Sequence, residues 1–510
     1  MHLHLFVIGL VGVFTWGRML GMLVGVIFGM LMSTVPGLSA ALAISLALPF
    51  VFSMDPATGL IILGSIWGGA IYGASKAAIL INTPGNPSAM TTTFDGYPMT
   101  KKGKAAEALF GALIASASGG MISAAVLLLL FGPLSHIALK FGSAQFFWLA
   151  IFGMTTISSM SSSGLSKGLL GVCTGVLLSF VGLNIMTGSP QYTFGLEPLT
   201  KGITLIAGIL GFFSFSQMMG LMSSEDAFIA EYKERKGYLL TVFRQYTKKI
   251  GIVVRSALIG TGVGMLPGAG SPIATMVAYN ESKRWAKPTE RYGTGIIEGV
   301  FTSEAAANAT VGGSLIPLMS LGIPGDADAA VIAGGLLAFG LIPGPKMIQQ
   351  SGVVAYTFIA SLFVANLVML VTGFFLMRIT GRILLIPRRY IMPTVIALAM
   401  LGTYSLNDSM LDVGVLLACG IIAYTFRRVG IHPGTLALGL ILGPIANEGF
   451  TQTLLQARAS HSMIGAFLGS WVSIILIVLI IAGVVSGFLI ERRPGATSTR
   501  SSDKRVTESV

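Results

Sequence analysis

Apolar runs recur along the entire chain, separated by short polar loops, and they do not alternate with a period of two. Run length and Gly, Pro and charge punctuation predict helices at 5–32, 40–53, 58–82, 107–132, 144–160, 166–186, 199–222, 252–266, 270–280, 293–320, 326–342, 352–380, 391–404, 411–426, 434–446 and 462–490. Several are shorter than the ~20 residues a helix needs to cross a bilayer, so they read as broken or re-entrant. An outer-membrane barrel would show short alternating segments instead and is excluded. The pattern therefore predicts an all-α polytopic membrane protein. The most polar internal stretch, 223–251, carries Lys233, Arg235, Lys236, Arg244, Lys248 and Lys249. It divides a first membrane half, 1–222, from a second, 252–490, and the Ser/Thr/Arg-rich tail 491–510 is expected to be disordered.

Inside this apolar pattern, "MSTVPGLSAALAI" (32–44) places Pro36-Gly37 where a membrane helix should continue. The break has a counterpart. "GMLMSTVPGLSAALA" (29–43) aligns with "GTGVGMLPGAGSPIA" (260–274), setting Pro36-Gly37 on Pro267-Gly268, 231 positions later. "ILINTPGNPSA" (79–89) aligns with "MSLGIPGDADA" (319–329), setting Pro84-Gly85 on Pro324-Gly325. Two Pro-Gly breaks in the same order in each half imply a duplication. Loop charges orient the copies. Asp55 follows the first break of half one without a basic residue, whereas Lys283, Arg284, Lys287 and Arg291 follow its counterpart. After the second break the bias reverses: Lys101, Lys102 and Lys104 in half one, only Lys346 in half two. Equivalent loops on opposite sides mean inverted-topology repeats, with 223–251 and the tail in the cytoplasm.

Only 10% of residues are charged, against about 25% in soluble domains, while 53% are hydrophobic and the mean hydropathy is +0.82. The net charge of +12 sits in short loops and the tail, as the positive-inside rule requires, and is no nucleic-acid signal. The 66 glycines and 25 methionines suit close helix packing and adaptable filling. Gly17, Gly21, Gly25 and Gly29 fall on one helix face and read as a packing ladder. Cys173 and Cys419 lie within apolar stretches, which argues against a disulfide framework. "MHLHLF" has neither a basic n-region nor a cleavage site and is expected to be retained.

A break in lipid frees backbone groups that must face protein or a water-filled cavity. The helix beginning after it offers unpaired N–H groups and a positive end to an anion such as a carboxylate. The segment before it ends in carbonyls that can hold Na⁺, here near Val35 and Leu266. Hydroxyls add neutral ligands: Ser33, Thr34 and Ser39 in half one, Ser271 and Thr275 in half two. The candidate substrate-binding set is Ser33, Thr34, Pro36, Gly37, Ser39, Asn82, Thr83, Pro84, Gly85, Pro267, Gly268, Gly270, Ser271, Pro324 and Gly325. A lone Pro-Gly reads better as a repaired kink; four in matching positions favour a midplane site. Lys76 and Glu304, the latter beside Asn308, are ionisable groups in apolar context and candidates for charge or ion coupling, with structural pairing as the equal alternative. Asp326 and Asp328 read as first-turn helix charges, and His136, His432 and His461 as surface or packing residues. There is no Walker A sequence and no His-Glu-x-x-His, and "GLSKG" (164–168) lacks the strand–turn–helix setting of a nucleophile elbow; no enzyme is expected.

The segments "VPGLSAALAISLALPF", "YGASKAAILINTPGNPSAMTTTFDGYPMTKKGKAAEAL", "MLPGAGSPIATMVAY" and "SEAAANATVGGSLIPLMSLGIPGDADAAVIAGGLLAFGLIPGP" resemble the large membrane subunit of the tripartite tricarboxylate transporters, the TctA family. The resemblance implies a multi-pass permease of the bacterial inner membrane that imports di- or tricarboxylates or related organic anions by symport with Na⁺ or H⁺. It also implies a small four-helix membrane subunit and a periplasmic solute-binding protein as partners, with an elevator-like movement by analogy; a homo-oligomer is a further candidate assembly. The chain departs from the family pattern at Ala307, where an amide often stands, and at Gly73-Ala74-Ser75, where Gly-Gly-Ser is common. These departures bear on substrate identity more than on transport. The competing reading is a channel-like or scaffold subunit in which the Pro-Gly breaks only kink helices; an intramembrane hydrolase ranks third for want of a catalytic set.

Overall fold

The computed structural model describes residues 3–158, 164–183, 188–195, 197–221, 237–286, 291–380 and 388–491. Residues 223–236 of the basic stretch and 492–510 of the tail lie outside the described residues. The described chain is almost entirely helical, as the apolar pattern predicts.

The first predicted helix is in fact two, α1 (Leu3–Val13) and α2 (Trp16–Thr34). The chain leaves the helix at Phe14-Thr15, and the Arg18 guanidinium holds the bend by donating to the Gly12 carbonyl at 2.8 Å. α2 stops at Thr34, the chain turns through Pro36-Gly37, and α3 (Ala40–Val51) runs back. Arg18 pairs with Asp55, just beyond α3, at 3.2 Å. The two arms therefore start and finish at one level, forming a hairpin whose tip is the break.

α4 (Pro56–Ile81) is capped by Asp55, which accepts from the Thr58 N–H at 3.0 Å, and lies along α2. The glycine ladder explains how close they come. A Cβ on Gly29 would sit 2.1 Å from the Ile66 carbonyl oxygen, and one on Gly73 would sit 2.5 Å from that of Met30. Small residues let backbones touch where lipid supplies no hydrophobic drive. After Pro84-Gly85 come a 3₁₀ turn (Pro87–Ala89), a short helix α5 (Thr93–Lys101) absent from the sequence reading, and the long α6 (Ala105–Ala138).

α7 (Ser143–Ser158) and α8 (Leu165–Ser179) follow, then a two-residue strand pair. α9 (Leu205–Leu210), a π-helical turn (Gly211–Phe215) and α10 (Ser216–Leu221) complete the first half. Part of the basic stretch is itself helical, α11 (Tyr238–Lys248), buries Tyr238 and Val242, and packs on α6.

The second half repeats the hairpin. α12 (Ile250–Gly264) reaches Pro267-Gly268, and α13 (Gly270–Arg284) returns, with Arg255 donating to Ser282 across the arms at 3.2 Å. α14 (Ile297–Leu321) leads to Pro324-Gly325 and α15 (Ala327–Ala338). Here a Cβ on Gly260 would sit 2.3 Å from the Ala306 carbonyl oxygen, and one on Gly313 would sit 2.5 Å from that of Thr261. These are the α2–α4 contacts again, displaced by the offsets of the Pro-Gly pairs.

α16 (Met347–Leu376), α17 (Arg388–Asn407) and α18 (Met410–Arg428) follow. α19 (Pro433–Ser460) runs well past the predicted end at 446, because Glu448 bonds Gln452 (2.9 Å) and Thr453 bonds the Gly449 carbonyl (2.6 Å), satisfying its polar turns. The last predicted helix is broken at Gly469-Ser470 into α20 (Met463–Leu468) and α21 (Trp471–Glu491). Among the described residues six helices, α2, α4, α6, α16, α17 and α18, are long and apolar enough to cross a membrane. α7, α8 and α19 pack together as one group, while α2, α4, α6, α12 and α14 form another; α3 and α15 lie between, both touching α9.

Candidate functional site

Each hairpin tip is the same tight turn. In half one, Val35 N–H donates to Met32 (3.2 Å) and Leu38 N–H to Val35 (3.1 Å). In half two, Leu266 N–H donates to Val263 (3.0 Å) and Ala269 N–H to Leu266 (3.1 Å). The carbonyls of Val35 and Leu266 therefore each accept a turn hydrogen bond. Gly37 and Gly268 have φ of +91° and +83°, which L side chains rarely adopt.

The tips are then locked to the second breaks. Gly37 N–H donates to the Gly85 carbonyl at 3.2 Å, and Gly268 N–H to that of Gly325 at 2.9 Å. Gly85 and Gly325 are glycine for closeness: a Cβ would lie 2.1 Å from the Ser33 carbonyl oxygen in the first case and 2.6 Å from that of Gly264 in the second. The two halves also touch. Thr91 and Thr275 hydroxyls meet at 3.0 Å, Tyr279 donates to Asp95 at 2.7 Å, and α3 packs on α15.

The segments that follow all four breaks meet at one cavity of about 680 Å³. Its wall includes Ser39–Ala41 at the start of α3, Asn86–Ser88 of the 3₁₀ turn, Gly270–Pro272 at the start of α13 and Asp326–Asp328 at the start of α15. Its other wall comes from Phe213, Ser216, Gln217, Lys167 and the run Arg427–Pro433. Three cations, Lys167, Arg427 and Arg428, thus face three helix starts, and among the described residues none is ion-paired to a carboxylate. Lys167 donates to the Val429 carbonyl (3.0 Å), and Arg428 lies over the Tyr424 ring (5.4 Å).

Local hydrogen bonds fix the polar lining. Ser39 accepts from Leu42 N–H (3.2 Å) and donates to Gln217 Oε1 (2.9 Å), while Gln217 Nε2 donates to the Gly37 carbonyl. Gln217 thereby clasps the first tip. Ser271 and Thr310 hydroxyls meet at 2.6 Å. Asp326 is spent as a cap, accepting from Ala329 N–H (2.8 Å) and the Ser314 hydroxyl (2.9 Å), in line with its reading as a helix-start charge.

Of the sequence-derived candidates, Ser39, Gly270 and Ser271 line the cavity. Pro36, Gly37, Pro84, Gly85, Pro267, Gly268, Pro324 and Gly325 form the turns behind it. Thr34 is a strut within the hairpin, donating to the Met30 carbonyl (2.6 Å), and Ser33 is buried beside Gly85. Asn82 is an exposed left-handed cap of α4 (φ +55°), and Thr83 bonds the Ile81 carbonyl (3.2 Å). Lys76 is fully buried with its Nζ 5.0 Å from the Tyr72 ring centroid, away from the cavity lining. Asn308 donates to Ser116 (2.9 Å) and Asn366 (3.1 Å).

The sequence reading missed Lys167, Gln217, Arg427 and Arg428, and it took His432 for a surface or packing residue. His432 lines the cavity and caps α19, its Nδ1 accepting from Gly434 N–H at 3.1 Å. "RRVGIHPG" held the signal: a basic pair followed directly by another Pro-Gly helix start.

Broken helices whose starts meet cations around a cavity are an arrangement found in membrane transport proteins. The match to the tripartite tricarboxylate transporter TctA family spans residues 19–438, and the chain belongs to that family. It is a component of a tripartite tricarboxylate transporter, a multi-pass membrane protein from a family of transporter subunits rather than enzymes. An uncharacterized 52.8 kDa protein of Agrobacterium vitis, from the TAR-I ttuC' 3' region, is 35% identical over 437 residues, 85% of this chain and 86% of that one. An uncharacterized protein of the TAR-II ttuC' 3' region of the same organism is 34% identical over 204 residues, 40% of this chain and 84% of that one. No solved structure matches.

Proposed function

We propose that the chain is the permease of its transporter and imports carboxylates across the bacterial inner membrane by symport with Na⁺ or H⁺. The observation that carries this is the cavity where the segments after four Pro-Gly breaks face Lys167, Arg427 and Arg428. One substrate carboxylate meets the starts of α3, α13 and α15 through the N–H groups that Ser39, Asp326 and Asp328 leave free, and the cations take the other end. The volume suits a small organic acid. Tip-to-break hydrogen bonds that recur in each half, together with the opposed loop charges, favour inverted repeats around this site, with 223–251 and the tail cytoplasmic. An elevator-like displacement of the hairpin group past the α7–α8–α19 group is the movement such an arrangement suits. A periplasmic binding protein delivers the substrate, and a small four-helix subunit and a second copy of the chain are the membrane partners.

The test is uptake of a labelled tricarboxylate into proteoliposomes holding the chain, the small subunit and the binding protein. Saturable accumulation that needs both the binding protein and an imposed Na⁺ or H⁺ gradient is expected. Gradient-independent, unsaturable flux would overturn the symporter reading.

A further inference from the structure

Glu304 on α14 is fully buried, and its carboxyl is not among the groups lining the cavity. Oε1 accepts from the Thr92 hydroxyl at 2.5 Å, and Thr92 also reaches Ser303 Oγ at 3.1 Å. Oε2 has no hydrogen-bond partner among the described residues. The Ser75 hydroxyl is within reach of the carboxyl and also donates to the Ile71 carbonyl at 3.3 Å. An uncompensated carboxylate is strongly disfavoured in such a place, so the group needs a proton or a cation.

The surroundings favour the proton. Titratable groups on the elements packed against α14 are Tyr72 and Lys76 on α4, Asp95, Tyr97 and Lys101 on α5, Glu107 and His136 on α6, Arg255 on α12, Tyr279, Glu281, Lys283 and Arg284 on α13, Asp328 on α15 and Tyr356 on α16. None forms an ion pair or hydrogen bond with Glu304. Glu107 in the first turn of α6 pairs with Lys104 (4.0 Å). A hard metal cation gathers about six oxygens, whereas among the described residues the hydroxyls that reach this carboxyl are those of Thr92 and Ser75, with Ser303 behind Thr92.

The position links it to the cavity. Thr92 belongs to the segment that runs from the 3₁₀ turn lining the cavity, and its neighbour Thr91 bonds Thr275 of α13. Farther along α14, Thr310 holds Ser271 at the cavity wall. The carboxyl thus joins the second break of half one to the second hairpin.

We infer that Glu304 is the proton-carrying group of this transporter, its Oε2 taking up the proton that moves with the carboxylate. This rests on the proposed transport reading and names its coupling ion. The O–H bond forms on Oε2 with a proton from water on the outer side and breaks to release that proton to water on the inner side, so one charge accompanies each cycle and nothing is oxidised or reduced.

The test uses the reconstituted complex with the Glu304→Gln and Glu304→Asp variants. Glu304→Gln keeps the neutral, hydrogen-bonding shape. It should retain exchange of internal for external labelled tricarboxylate within about threefold, yet lose accumulation driven by a pH gradient and the internal acidification that accompanies it. Glu304→Asp should keep part of both. Accumulation by Glu304→Gln at wild-type level under a pH gradient would overturn the inference, as would wild-type accumulation driven by Na⁺ alone without acidification. Loss of exchange together with accumulation in a variant that still melts like wild type would also overturn it, leaving Glu304 a structural residue. Absence of exchange in the wild type would instead remove the transport reading itself.

Discussion

Replacing Gly37 with alanine probes the tip of the first hairpin. Its φ of +91° costs an L residue about 1–2 kcal/mol. The new methyl would also lie 2.4 Å from Leu221 Cδ2, and such overpacking costs about 1–3 kcal/mol. The two costs can be separated, because Leu221 is the far end of a side chain while φ belongs to the backbone. Gly37→Ala combined with Leu221→Ala should recover the steric part and keep the backbone part. Gly85→Ala has no such escape: its Cβ would meet the Ser33 carbonyl oxygen at 2.1 Å, so backbone must move and the Gly37–Gly85 hydrogen bond must stretch. The assay is melting of the purified protein alongside uptake in proteoliposomes. The expected order of residual uptake is wild type, then Gly37→Ala/Leu221→Ala, then Gly37→Ala, with Gly85→Ala lowest. Wild-type melting and uptake in Gly85→Ala would refute the reasoning, because nothing flexible lies in the path of that methyl.

Other outcomes follow from the same geometry. Arg427→Gln, Arg428→Gln and Lys167→Gln should each raise KM for a tricarboxylate about tenfold or more, since a charge-assisted bond is worth about 1.5–3 kcal/mol; unchanged KM in all three would remove them from the site. Asp95→Asn should lower the melting temperature, because Asp95 accepts from Tyr279 (2.7 Å) and from the N–H groups of Gly293 (3.0 Å), Gly295 (2.8 Å) and Ile296 (3.0 Å) at the start of α14. Asp55 responds to pH in a defined direction: burial pushes its carboxyl up, but Thr58 and Arg18 outweigh that and hold it below the ordinary 3.8. A depressed folded value means its stabilisation is present above about pH 4 and lost as pH falls through that lower value. Wild type should therefore melt above Asp55→Asn at pH 7, and the two should converge in strong acid.

The breaks were legible because proline and glycine announce themselves, and pairing them by offset put all four in matching turns. The glycine ladder was legible for the same reason: only its spacing matters, and Gly25 and Gly29 do touch α4. At Thr34 the sequence shows only a hydroxyl beside a break; the helix adds that it bonds the carbonyl one turn back. For Arg427 and Arg428 the local signal, a basic pair before a Pro-Gly helix start, marks a helix boundary, but it does not show that the α18–α19 turn folds over a cavity built by distant segments. The break between α1 and α2 escaped notice because Arg18, not proline, makes it.

The central claim is that the segments after all four breaks hold one carboxylate. It is tested most directly by substrate protection of single cysteines placed by Ser39→Cys, Ser88→Cys and Ser271→Cys in a chain with Cys173 and Cys419 replaced by serine, with Asn82→Cys as the outlying control. A tricarboxylate should slow thiol labelling at all three cavity positions with one common half-saturating concentration and leave the control unchanged. Labelling rates indifferent to substrate at the cavity positions, or slowed equally at Asn82→Cys, would contradict it.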